Sequence, residues 1–511
     1  MTGADGPPPG IPPEHPARRR AVPPSPGLVA DSVIAIPLRE LMDDAGDRPI
    51  GVLIELRTSF PGGAGAAASR VEELIAEVGG DGVRRVGSYV AAALTAPQIR
   101  DLARLDARQA EQDTGAAGAP RSSVHRIWPN FEVRADTYRS VVTTKCAAAH
   151  RAFGAHGQDI VWAVLDSGIE RDHPHFDRHD NLRRDADDLP HRSFVPGADD
   201  ADALRDAYGH GTHVAAIIAG ERLRGDGAPR SGRRRAAQPI VAAGWYQDDD
   251  QEGGLEVRRL ELDAISGMAP RCRLLSCKVL RDDGTGDVAA VLDALRYLQE
   301  LNSHGRDLRV HGVNLSVGYP FDPRWFAAGL TPVCREVDLL VRSGVVVVVS
   351  AGNTGYGFAV DAESRSVGMG LDLTINDPGN ADLAITVGST SCRPYVTGVS
   401  YFSSKGPTGD GRQKPDLVAP GERIISAGAG AMLKRAMRSV PDAAYVEDSG
   451  TSMAAPHVSG VAAAFLSVHR EFVGRPEEVK RHLMESASDL RRDRAFQGSG
   501  LVDAMRAIQR V

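Results

Sequence analysis

The sequence predicts an α/β protein: a doubly wound, mainly parallel sheet preceded by a small α+β unit. Two observations predict the sheet. From about residue 136, continuous apolar runs such as "IVWAVLDSG", "CRLLSCKVL", "VHGVNLSVG", "VVVVVSAGN" and "LAITVGS" alternate with helical stretches. A strand apolar on both faces belongs in a parallel sheet covered by helices on each side. Several of these runs end in small or polar residues, where a doubly wound sheet carries its ligand site, and Asp166, Ser316 and Asn353 fall at such ends. A third observation, the order strand, helix, strand, helix, strand within residues 28 to 135, predicts the smaller unit.

The opening residues 1 to 27 are rich in Pro and Gly with almost no large apolar side chains, the composition of a disordered tail. Their "RRR" reads as a solvated basic run. In residues 28 to 135, "PIGVLIELRTSF" supplies a strand, "AAASRVEELIAEVGG" a helix closed by glycines, "VRRVGSYVAAALT" a strand, "APQIRDLARLDARQAE" a helix and "SVHRIWPNFEVRA" a last strand. No nucleophile, base or ligand cluster occurs there. The chemistry therefore belongs to residues 136 to 511.

Composition excludes several function classes. Lys plus Arg number 60 against 67 for Asp plus Glu, a net charge of -7, so no basic field points to nucleic acid. The N-terminal stretch lacks the apolar core of a secretory signal, and a cytoplasmic location is expected. No later segment reads as long and apolar enough to span a membrane. The five cysteines, Cys146, Cys272, Cys277, Cys334 and Cys392, are odd in number and scattered, which suits a reducing compartment rather than a disulfide framework. Cys272 and Cys277 lie at an odd separation along one strand and should point to opposite faces, so they share no metal.

The stretch "EDSGTSMAAPHVSG", residues 447 to 460, holds four hydroxyl side chains. A Ser or Thr opening an apolar run is ordinarily a helix cap. "VLDSG" places Asp166 at the end of a buried strand, and "GHGTHVAAIIAG" places His210 just before a helix of small residues. A serine hydroxyl needs a base to take its proton, and the base needs a buried carboxylate to fix its tautomer. The chain order Asp, His, Ser also separates this pattern from other triad arrangements.

With these residues in place the sequence resembles the subtilases, or subtilisin-like serine proteases. The resemblance rests on "VLDSGI" around Asp166, "GHGTHVA" around His210, "VSAGN" ending at Asn353 and "GTSMAAPHVSG" around Ser452. With "GMAPRCRLLSCKVL", "FSSKGP" and "KPDLVAPG" it covers about residues 160 to 505. It implies a subtilisin-like catalytic domain in residues 136 to 511, with Ser452 as nucleophile, His210 as general base and Asp166 as orienting carboxylate. Asn353 would donate its amide to the oxyanion together with the backbone N–H of Ser452. It also implies a pocket walled by Ser316, Val317 and Gly318 on one side and Ser350, Ala351 and Gly352 on the other. These small, uncharged walls suit an apolar or aromatic side chain before the cut bond.

The expected activity is thus a serine endopeptidase acting on protein or peptide substrates. Two alternatives on the same fold are a silent peptide-binding module and an acyl transferase. Intact Asp166, His210, Asn353 and Ser452 argue against the first; the second shares the acyl-enzyme chemistry up to deacylation. The strand-helix pattern of residues 28 to 135 is similar to a subtilase propeptide, which implies that the N-terminal unit inhibits its own catalytic domain; the bland alternative is a permanent accessory domain.

No cofactor is expected. "HGTH" lacks metalloprotease spacing, so His213 is not expected to hold zinc. His457 reads as a helix-packing residue and "HPHFD", residues 173 to 177, as loop or surface. Pro456 is placed in the first helical turn, where its missing N–H costs little. The segment 221 to 266 departs from the family pattern. Its "DDDQE" carboxylates read as an acidic solvated loop, with calcium as the competing reading.

Overall fold

The computed structural model describes residues 33–46, 48–112, 122–129, 139–183, 189–226, 239–247, 255–320, 328–360, 366–393, 396 and 398–511. The expected tail and the runs "RSGRRR" and "DDDQE" lie outside them. The chain divides into two compact units, Met1–Ala135 and Asp136–Val511.

The first unit runs α1 (Ile36–Ala45), β1 (Ile50–Leu56), α2 (Gly63–Glu77), β2 (Asp81–Val86), β3 (Tyr89–Leu94), α3 (Ala96–Gln112) and β4 (Val124–Pro129). Its sheet has the order β2-β3-β1-β4 and is antiparallel throughout. Val52, Ile54 and Leu56 alternate inward from β1 onto Val71, Leu74 and Ile75 of α2 and Ile99 and Leu102 of α3. The single strand expected in "VRRVGSYVAAALT" is a hairpin instead. Gly87 has φ 57° and opens a two-residue turn that pairs Val86 with Tyr89, a position that favours glycine. Helix α1 was also missing from the sequence expectation.

In the second unit the main sheet contains β5 (Val161–Asp166), β6 (Arg192–Ser193), β7 (Arg273–Lys278), β8 (Gly312–Leu315), β9 (Val346–Ser350), β12 (Ile385–Ser391) and β13 (Leu417–Glu422). A side hairpin of β10 (Tyr356–Val360) and β11 (Ser366–Gly370) follows β9. The sheet order is β13-β12-β9-β8-β5-β7-β6, and every pair is parallel. Successive residues of β5 enter different cores: Trp162 and Val164 face one, Val161, Ala163 and Leu165 the other. That alternation explains the unbroken apolar run, because helices cover both faces. Helices α5 (Val288–Leu301) and α6 (Pro332–Arg342) close the second core. Cys272 lies in the first core and Cys277 in the second.

Helices α4 (His210–Ile218) and α7 (Thr451–Val468) pack together on the first face. By length and composition α7 could cross a membrane, which corrects the expectation that no segment could. It is instead the central helix of the fold, 89% buried, and its apolarity reflects contacts with α4, β8, β9, β12 and β13 on its sides.

The divergent segment 221 to 266 forms two pairings. Glu221–Leu223 joins Ala264–Ser266, and Ile240–Gln247 joins Leu255–Leu262, both antiparallel. Ile240–Gln247 also pairs in parallel with Tyr445–Asp448, which pairs with Ile424–Ala427. The segment thus supports the strand that leads directly into α7.

Candidate active site

Strand β5 ends at Asp166 and its neighbour β8 ends one residue before Ser316. The chain builds β7 and β6 on one side of β5, then crosses to build β8, β9, β12 and β13 on the other. The carboxyl ends of β5 and β8 therefore flank a topological switch point, the ordinary ligand crevice of such a sheet.

Asp166 is 1% exposed and its Oδ1 lies 2.8 Å from Nδ1 of His210, which is 16% exposed. His210 is the first residue of α4, and the helix comes this close because position 211 is glycine. A Cβ there would occupy the space of the Gly168 carbonyl oxygen. A second carboxylate, Asp206, fixes the arrangement from below. Its Oδ1 accepts from Ser167 Oγ at 2.8 Å and Gly209 N at 2.7 Å; its Oδ2 accepts from Thr212 N at 2.8 Å and Thr212 Oγ1 at 2.7 Å. Asp206 thus ties the residue after Asp166 to both flanks of His210 and caps α4. Sequence reasoning missed it, because its tie to Ser167 joins residues 39 apart in the chain.

Burial would push the His210 imidazole down. The adjoining Asp166 carboxylate, with Asp448 and Asp206 farther off, outweighs that cost and raises it to about 9.

Ser452 is the second residue of α7, where backbone N–H groups have no intrahelical acceptor. Its Oγ donates to the Ser316 carbonyl at 3.1 Å rather than to His210; both side chains line one cleft. Catalytic hydrogen bonds are commonly long in an empty site and tighten with substrate. Pro456 is the sixth residue of α7, not in the first turn as the sequence suggested. In a regular helix the N–H at 456 would bond the carbonyl of Ser452. Proline has none, and that carbonyl accepts from Ser316 Oγ at 2.9 Å. The relay continues inward: Asn314 Nδ2 donates to Ser316 Oγ at 2.9 Å, and Ser459 Oγ donates to Asn314 Oδ1 at 2.9 Å.

Asn353 follows β9 by three residues. Its Oδ1 accepts from Thr451 N at 2.9 Å and Thr451 Oγ1 at 3.1 Å. Two donors on one atom identify that atom as the oxygen, so Nδ2 is the group left to donate elsewhere. Gly352 has φ 107°, a conformation that favours glycine, and its N–H donates to Thr451 Oγ1 at 3.1 Å.

The cleft has a volume of about 610 Å³ and is lined by His210, Ser316, Val317, Gly318, Ser350, Gly352, Asn353 and Ser452 among others. Of the expected pocket residues, Ala351 is the exception. It is fully buried, and its backbone is engaged on both sides by Val387 and Asn376. Asn376 and Thr354 also line the cleft, and Thr354 Oγ1 donates to Asn376 Oδ1 at 3.3 Å. A Cβ on Gly352 would stand 2.7 Å from the Asn376 amide. No local motif announced Asn376, because a loop after β11 delivers it.

Four further histidines, His173, His175, His213 and His457, are buried in the second unit. His213 Nε2 pairs with the Val446 carbonyl at 3.1 Å and His457 Nδ1 with that of Met453 at 2.8 Å. "HPHFD" is a loop but not a surface one: His173 is 5% exposed and His175 is fully buried. Their ring nitrogens meet the carbonyls of Ala444 and Ala216 at 2.9 and 3.2 Å, which lets two polar rings enter the core. Burial lowers the first to about 4 and the second to about 3. Among the described residues no group of three or more His, Cys, Asp or Glu side chains could hold a metal ion.

Comparison with known proteins agrees with this geometry. The model of the subtilase family matches residues 157–501. Over 401 residues the chain is 27% identical to serine protease AprX of Bacillus subtilis (strain 168), covering 76% of this chain and 75% of that protein. It is 30% identical over 325 residues to the major intracellular serine protease of the same organism, covering 63% and 72%. With its subtilisin E the identity is 27% over 363 residues, covering 71% and 69%. A match across two thirds of the sequence, on a parallel α/β sheet with these side chains gathered at its carboxyl edge, makes the chain a member of the subtilase family of serine proteases.

Proposed function

We propose that this serine protease is an endopeptidase using Asp166, His210 and Ser452 as its triad. The observation that carries the reading is the 2.8 Å hydrogen bond from His210 Nδ1 to Asp166, in a cleft that Ser452 and Asn353 also line. Ser452 Oγ attacks the substrate carbonyl while His210 Nε2 takes its proton; Asp166 holds the opposite ring nitrogen protonated. Asn353 Nδ2 and the Ser452 N–H receive the oxyanion. His210 then returns the proton to the leaving amine, and water releases the acyl group. These steps need no cofactor.

The pocket walls at Ser316, Val317, Gly318, Ser350 and Gly352 favour a bulky uncharged side chain before the cut bond, apolar or aromatic. Residues 28 to 135 are proposed as a removable inhibitory unit, supported by their compact α+β fold of one four-stranded antiparallel sheet and its helices.

The decisive experiment pairs a serine-directed phosphonate probe with intact-mass analysis. The wild type should be labelled on the peptide containing Ser452 and cut between about residues 128 and 145, and it should hydrolyse peptides. Ser452→Ala should be unlabelled, inactive and full length. Labelling that persists in Ser452→Ala overturns the triad assignment. An active wild type that stays intact overturns the propeptide assignment. Products joined to an added amine, in preference to hydrolysed ones, would make the enzyme an acyl transferase.

A further inference from the structure

A row of aromatic rings leads away from Asn353. Tyr401, Phe402, Glu422, Arg423 and Ser449 line a second pocket of about 480 Å³ that shares Asn353 with the cleft and contains none of the pocket-wall residues 316 to 318. From Phe402 the rings continue to Tyr401 at 5.4 Å, Tyr356 at 5.6 Å and Phe358 at 5.7 Å, each pair edge to face. Tyr401 is 69% and Phe358 76% exposed. Isolated exposed apolar side chains need no explanation, whereas a contiguous row of them marks a binding surface.

The row is rigidly built. The hairpin β10–β11 is rooted where Gly355 N donates to the Phe402 carbonyl at 3.0 Å and Leu371 N to the Gly355 carbonyl at 3.0 Å. Lys405 Nζ donates to the same Gly355 carbonyl at 2.9 Å. The Tyr356 hydroxyl fills the space where a Cβ at Gly368 would stand, so the ring lies across the hairpin. Arg423, the cation of this pocket, is already paired with Glu447 at 2.9 Å. Beyond the Glu422 and Arg423 of the pocket the row itself offers rings alone, which suits apolar side chains.

Direction follows from the cleft. The second pocket adjoins the cleft at Asn353, so a substrate whose side chain before the cut bond sits between residues 316–318 and Ser350 and Gly352 reaches Tyr401 by continuing past Asn353. We propose that the row Phe402, Tyr401, Tyr356 and Phe358 binds the part of a polypeptide substrate that follows the cut bond and selects bulky apolar side chains there. The inference rests on the endopeptidase reading. The three ring-to-ring steps span at most roughly 17 Å, the reach of about five extended residues.

Two extended peptides test it, identical up to the cut bond and carrying either Phe and Trp or Ser and Gly at the second to sixth positions beyond. Fluorescence anisotropy on Ser452→Ala, freed of its N-terminal unit by wild-type enzyme added in trans, should give the aromatic peptide an affinity about tenfold higher than the polar one, a factor of the size ring contacts supply. Adding Phe358→Ser or Tyr401→Ser should remove most of that factor. In the catalytically intact chain the same changes should raise KM for the aromatic peptide alone and leave a p-nitroanilide that ends at the cut bond unaffected. Equal affinities for the two peptides, or a preference that survives both substitutions, overturn the proposal. So does loss of a concentration-dependent dimer in Phe358→Ser without any change in peptide binding, which would assign the face to a second copy. Because Ser452→Ala binding needs no turnover, failure of the protease reading shows separately, as an uncleaved p-nitroanilide.

Discussion

Thr451 donates both its backbone N–H and its hydroxyl to one atom, Oδ1 of Asn353, at 2.9 and 3.1 Å. The residue before the expected nucleophile therefore orients the expected oxyanion donor. Thr451→Val removes the hydroxyl and leaves Gly352 N–H without its acceptor. The expected result is a kcat roughly tenfold lower with KM little changed, since the misaligned donor matters most in the transition state. Thr451→Ser should restore most of the rate. Asn353→Leu should cost about a hundredfold or more in kcat. Steady-state kinetics on a defined peptide measure all three, and a dominant KM effect would mean that Asn353 binds ground-state substrate.

The pH dependence of activity follows from His210. Its folded value, about 9, is raised above the ordinary imidazole range, and the base form is the neutral ring. kcat/KM should rise with pH to a midpoint near 9. Asp448 is one of the carboxylates holding the ring up, so Asp448→Asn should move the midpoint downward. The stability sign is opposite: the charged pair with Asp166 stabilises the fold fully below the unfolded imidazole value, and that contribution is lost as pH rises through about 9.

Ser316 and Pro456 form a compensating pair. Ser316→Ala should destabilise the fold by about 1–3 kcal/mol, because the Ser452 carbonyl loses its donor in a buried setting. Pro456→Ala supplies a backbone N–H at the position that would bond that carbonyl. The double variant should therefore be more stable than the sum of the two single changes predicts, by chemical denaturation. Strict additivity would show that the carbonyl does not depend on Ser316.

His173 and His175 make the fold acid-sensitive. Both are held well below the ordinary imidazole range, to about 4 and about 3. The unfolded chain therefore binds protons that the folded one refuses. Their contribution is fully present above about pH 6.5 and is lost as pH falls towards those values. Thermal unfolding between pH 7 and 4 should show a falling Tm, with a shallower fall in His175→Gln. An unchanged slope would place the acid sensitivity elsewhere.

Several parts of this structure were legible because they are local. The unbroken apolar runs at 161–166 and 346–350 record burial on two faces, and residues that recur in fixed spacing around Asp166, His210, Asn353 and Ser452 record chemistry. Asp206, Asn314 and Asn376 were not legible. Each acts through a partner far along the chain: Asp206 through Ser167, Asn314 through Ser459, Asn376 beside Gly352. A polar residue outside a motif has the same appearance whether it faces solvent or a buried acceptor.

The sequence by itself determined the parallel α/β class of the larger unit and the family. Strand and helix periodicity and short motifs depend on neighbours within a few residues. Only the tertiary structure decided that "HPHFD" is buried, because carbonyls of Ala444 and Ala216 come from elsewhere to meet its rings. It likewise decided that Ala351 is fully buried and that the Ser452 carbonyl, freed by Pro456, is taken by Ser316. Hydrogen bonds across 136 residues of chain satisfy buried polar groups, and which groups meet is settled only when the sheet and its two layers of helices close.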